Sequence, residues 1–164
     1  MLALDVMLRW LHVVSVALRF GGMLFLALIV VPTMRRAGLR DAGAAFLRVA
    51  GERFRGYGWA ALALLATTGT LMLVRRGYPG PAELFDRPFG TVLVAKLSLV
   101  ALVLILSAAH DFWLGPRTLR LASERGAADP AYRRARSRVS WLARLNALLV
   151  AAIIGLGLWL TRLG

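Results

Sequence analysis

Apolar residues gather into four long runs, separated by links rich in arginine, glycine and proline. The runs cover about residues 7–34, 57–74, 89–114 and 139–160. Each is near or above the ~20 residues with which a helix crosses a bilayer. The pattern predicts an all-α fold, an integral membrane four-helix bundle, with residues 1–164 as one four-transmembrane-helix domain. Breaker residues set the expected ends. The first run should end near Pro32 and the third at Gly115–Pro116. Residues 37–55 carry Leu39, Phe46, Val49 and Phe54 among charges, which suits a short interfacial helix. The link 75–88 holds Gly77, Pro79, Gly80, Pro81 and Pro88 and reads as a turn-rich connection. Asp129 as N-cap and Pro130 as first helical residue open the last helix well before its apolar part.

The first and third runs end alike, in Pro32-Thr33-Met34-Arg35 and Pro116-Arg117-Thr118-Leu119-Arg120. The prolines lie 84 residues apart, and the same offset places His12 on Lys96. Two repeated helical hairpins would produce such a pattern.

Composition supports a membrane reading. The chain is 59% hydrophobic, with a mean hydropathy of +0.68. Ordinary soluble domains are roughly 45–50% apolar. No basic stretch precedes the first run, and Arg9, His12 and Arg19 interrupt it, so it is expected to remain as a helix rather than a cleaved signal. Cysteine is absent, which excludes disulfides, thiolate metal sites and covalent c-type haem. Trp10, Trp59, Trp113, Trp141 and Trp159 all fall near expected span ends, as in an aromatic belt.

The net charge of +13 points to membranes through its distribution. Thirteen arginines sit in the links after the first and third runs, and five lie on the other side. The positive-inside bias then places both termini outside and the two arginine-rich links in the cytoplasm. Anionic lipid head groups are the expected partners of those cytoplasmic arginines. No nucleic acid is expected, because no aromatic-interleaved basic surface or binding motif accompanies the charge. Gly155 and Gly157, with Ala151 and Ala152, give the last run a small-residue face for close packing. A homo-oligomer stays open.

Among the ionisable residues inside the spans, three stand out: His12, Arg19 and Lys96, the only lysine of the chain. Such a residue costs roughly 2.5–3.5 kcal/mol on insertion scales and marks a functional site by default. His12 and Lys96 should both lie roughly 7–11 Å below the outer boundary, at 1.5 Å of rise per residue. Met72 is expected at the same depth. Arg19 and Met23 share the helical face of His12 and should point inward with it. Imidazole and thioether ligands suit a soft ion, so His12, Met72 and Met23, with Met7 nearby, form a candidate Cu(I) site. Thr67, Thr68 and Thr70, the carbonyls near Gly21–Gly22 and trapped water are candidate partners of Arg19. His110 and Asp111 form a further candidate at the opposite edge. His110 is expected roughly 20–25 Å from His12 in depth, which excludes one haem iron held by both histidines. No nucleophile–base pair, P-loop or metalloprotease motif occurs, which favours a non-enzymatic role.

Several short pieces resemble the copper resistance D (CopD) membrane family. They are Trp10-Leu11-His12, Gly21-Gly22-Met23-Leu24-Phe25, Pro32, Phe89-Gly90, Lys96-Leu97 and His110 followed by Gly115-Pro116-Arg117. The resemblance implies a bacterial inner-membrane protein of copper uptake or tolerance, with His12 as a candidate ligand. Relatives of that kind usually carry tryptophan where this chain has Arg19. The membrane protoporphyrinogen oxidases are similar in outline, sharing a first-helix histidine and a third-helix lysine. Through them His12 and Lys96 imply a redox protein binding haem b, although the tryptophan usual four residues before that lysine is Val92 here.

Overall fold

The computed structural model describes residues 2–36, 40–77, 88–126 and 128–163. They form helices throughout, with no strand among the described residues. The order is α1 (Leu2–Phe25), a π-turn (Leu26–Val30), α2 (Val31–Arg36), α3 (Arg40–Arg75), α4 (Pro88–Ala108), a second π-turn (Ala109–Leu114), α5 (Gly115–Arg125) and α6 (Pro130–Leu163). Four stretches are long and apolar enough to cross a membrane: Leu2–Met34, Arg48–Arg75, Pro88–Arg125 and Pro130–Leu163. The chain is a membrane protein of the all-α class. It divides into two compact units, Met1–Pro79 and Gly80–Gly164. In the first unit α1 packs on α3, and in the second α4 and α5 pack on α6.

Two expected helix ends are corrected. Pro32 and Gly115–Pro116 do not terminate their helices. In both cases a π-turn precedes the proline, and the proline is the second residue of the helix that follows. An α-helical proline leaves the carbonyl four residues back without its bond, and its ring collides with that carbonyl. The π-turn bonds residues five apart instead: Val31 N–H donates to Leu26 O, and Gly115 N–H donates to His110 O. The wider turn lets the helix pass through the proline. The 84-residue repeat therefore extends from the prolines to the backbone irregularity before them.

The interfacial helix expected within residues 37–55 is also corrected. From Arg40 onward the segment is the start of α3 and enters the span without a break. No proline interrupts 40–75, so nothing stops the helix from growing outward from its membrane part. Residues 37–39 and the turn-rich link at 78–87 lie outside the described residues. The helix α3 closes at Gly77, whose φ of +65° is a left-handed cap open to glycine. The start of α6 is as expected: Asp129 Oδ1 accepts from Ala131 N–H at 2.6 Å and Tyr132 N–H at 3.4 Å.

Each unit has a narrow seam rather than a broad core. In α1 the seam is Leu8, His12, Ser15 and Arg19, and in α3 it is Phe54, Gly58, Ala61, Leu65, Thr68 and Met72. These spacings of three and four follow one helical face. The second unit repeats the plan with Leu93, Lys96, Val100, Val103 and Ser107 on α4, against Asn146, Ile153, Gly157 and Leu160 on α6. Leu18, Leu28, Leu64, Leu102, Ile105, Leu148 and Leu158 stay exposed, as lipid-facing positions require.

Candidate functional site

In the first unit, the helix α1 brings His12 opposite Thr68 and Gly69 of α3. Thr68 is buried, and its hydroxyl donates to Leu64 O at 2.7 Å. His12 Nδ1 lies 2.8 Å from the same hydroxyl oxygen. The threonine proton is already directed at the carbonyl, so the imidazole must donate from Nδ1. The lone pair of the neutral ring then resides on Nε2. The ring lies against Gly69, where a Cβ would stand in ordinary van der Waals contact, 3.5 Å from His12 Cε1. Met72 is half-buried on the seam, one turn beyond Thr68. Met23 shares the seam side of α1 but lies eleven residues further on, about 16 Å of helical rise from His12. Met7 is exposed, and Leu8 takes the buried place instead.

Arg19 is 7% exposed and faces α3, inward as expected. Its guanidinium stacks on the Phe54 ring, 5.8 Å from the centroid. Gly58 provides the notch for it, since a Cβ there would lie 2.8 Å from Arg19 Nη1. The Phe54 ring in turn seats on Gly22, where no side chain would fit. Arg19, Gly22, Phe54 and Gly58 thus interlock. Of the threonines, Thr67 donates to Ala63 O of its own helix and Thr68 serves His12. The sequence does not announce the aromatic partner, because Phe54 reads as part of an amphipathic link, whereas it belongs to the continuous α3. At the unit's open end, Asp5 and Arg75 form an exposed ion pair at 2.7 Å.

In the second unit Lys96 occupies the position on α4 that matches His12 under the 84-residue offset. It too faces a glycine: a Cβ on Gly157 would stand 3.4 Å from Lys96 Nζ. Where the first unit has Arg19, the second has Val103, 3% exposed. Further along, Asn146 Nδ2 donates to Ser107 Oγ at 3.3 Å, both residues buried. The signal in the sequence is that Asn146 is the lone carboxamide of the chain and falls inside an apolar run. His110 Nδ1 donates to Asp111 Oδ1 at 2.9 Å within the second π-turn. No cluster of three or more His, Asp or Glu side chains suited to a metal occurs among the described residues.

No solved structure matches the chain significantly. An uncharacterized protein of Aquifex aeolicus (strain VF5) is 32% identical over 152 residues, covering 90% of this chain and 89% of the relative. A family model described as copper resistance protein D matches residues 48–160. That range holds Thr68, Met72, Lys96, His110, Asp111 and Asn146, whereas His12 and Arg19 precede it. With a family match over most of its length, this helical membrane protein belongs to the copper resistance protein D (CopD) family.

Proposed function

We propose that the protein handles copper in the bacterial inner membrane, holding Cu(I) as cargo at His12 and catalysing no reaction. The observation that carries this reading is the hydrogen bond from His12 Nδ1 to Thr68. A second partner on the far nitrogen fixes the tautomer and orientation of a ligating histidine. It leaves Nε2 as the donor nitrogen, and Met72, a turn from Thr68, supplies a thioether. Soft ligands of this kind select Cu(I).

Arg19 shapes what happens next. It lies seven residues deeper than His12, about 10 Å of rise. A guanidinium keeps its charge at any accessible pH and repels a bare cation. The first hairpin therefore receives and hands over an ion rather than conducting it along its seam. Both termini face outward, and the arginine-rich links meet anionic lipid on the cytoplasmic side.

The test is metal analysis of purified protein after exposure to Cu(I), with an absorption spectrum alongside. The expected result is about one copper per chain, lost in His12→Ala and retained in His110→Ala, without a Soret band. Copper content indifferent to His12→Ala would overturn the assignment. A Soret band that disappears in His12→Ala would replace it with haem b.

A further inference from the structure

Asn146 Oδ1 is buried and has no hydrogen-bond partner among the described residues, and the residue as a whole is 6% exposed. Its amide nitrogen is already committed to Ser107 across the α4–α6 seam. Turning the amide over would give the oxygen a partner in Ser107 and leave the nitrogen's donors in the same place. A buried amide in a span thus has one group that the protein does not complete in either setting. Such groups are ordinarily satisfied by ordered water.

The surroundings favour water over an ion. Asp111 lies four residues beyond Ser107, and the π-turn between them takes more residues per revolution than an α-helix. Asp111 is therefore rotated toward the line of Ser107, on the side of α4 that packs against α6. His110 donates to it from Nδ1, and in the neutral ring Nε2 is then an acceptor. Polar acceptors at two successive levels are the partners that a buried water needs. The charged groups at this level are Arg117 on α5 and Arg138 and Arg144 on α6, all exposed. That positive rim disfavours a metal cation and leaves water as the fitting ligand.

We propose that the arginine-rich end of the second hairpin holds a hydrated site, in which water bonded to Asn146 Oδ1 connects outward past Asp111 and His110. Chains of Asp, His and water within spans carry protons. The site gives the second hairpin a short aqueous inlet, separate from copper at His12, and it stands whether or not His12 binds copper.

The chain's single asparagine and lack of glutamine provide the probe. In 15N-labelled full-length protein in lipid nanodiscs, the only side-chain carboxamide signal belongs to Asn146. The proposal expects a water cross-peak to that NH2 group and loss of its signal within minutes of transfer to D2O. Asp111→Leu, which plugs the inlet with an apolar side chain, should slow that loss at least tenfold with the backbone spectrum unchanged. His110→Phe provides the same plug if Asp111→Leu does not fold. An NH2 signal that persists for hours in the native chain overturns the proposal. So does an exchange rate that neither plug alters.

Discussion

The two hairpins share a scaffold and differ in where they place polar groups. Each opens with a helix that passes through a proline behind a π-turn, and each sets a long polar side chain against a glycine of its partner helix. In the first hairpin the polar groups run from His12 to Arg19, and the arginine needs a glycine notch and an aromatic face. In the second, Val103 replaces that arginine, and the polar groups divide between Lys96 at one end and Ser107, His110, Asp111 and Asn146 at the other. A duplicated backbone can thus carry two chemistries, because a seam position demands shape before it demands polarity.

The comparison breaks first at Gly58. In Gly58→Leu the new side chain must take the space of the Arg19 guanidinium, 2.8 Å from the Cβ position. Overpacking with a displaced intramembrane charge should cost about 3 kcal/mol. Equilibrium unfolding in mixed detergent checks it, and unchanged stability would show that Arg19 does not depend on the notch.

An intermediate effect is expected at Thr68. Thr68→Val keeps the shape and removes the acceptor for His12 Nδ1. Loss of such an outer partner lowers metal affinity roughly 10–100-fold. Competition with a Cu(I) chelator measures it, and Thr68→Ser should restore most of the affinity. Equal affinity for Val and Thr would mean that the hydrogen bond does not orient the ligand.

The smallest effect belongs to the second hairpin. A Cβ on Gly157 would meet Lys96 Nζ at 3.4 Å, a contact the flexible side chain can relieve. Alanine also lowers the entropy cost that glycine carries within a helix. Gly157→Ala should change stability by less than about 1 kcal/mol, in either direction. A loss as large as that of Gly58→Leu would show that the two notches are equally tight.

Much of this architecture was legible in the sequence, and the remainder was hidden for physical reasons. Apolar length alone located four spans, because a helix in lipid must satisfy its backbone internally. Asp129–Pro130 announced α6 through local capping chemistry, which needs no tertiary information. The prolines misled, because their cost is removed by a π-turn that no composition rule records. The notches at Gly22 and Gly58 and the contacts at Gly69 and Gly157 were unreadable, since they depend on which residues of two antiparallel helices stand level. Phe54 was hidden for the same reason, as was the pairing of Asn146 with Ser107. Arg19 was legible as inward-facing, because a charge at that depth leaves few alternatives.

The central claim is that Thr68 holds the His12 ring so that Nε2 receives the ion. The chain has two histidines, so its imidazole 15N spectrum contains two rings. Ag(I), a redox-stable soft ion, can be titrated into the labelled protein in nanodiscs. The account predicts that His12 Nε2 shifts while its Nδ1 stays protonated, and that both nitrogens of His110 stay in place. A shift at His12 Nδ1, or one confined to His110, would contradict it.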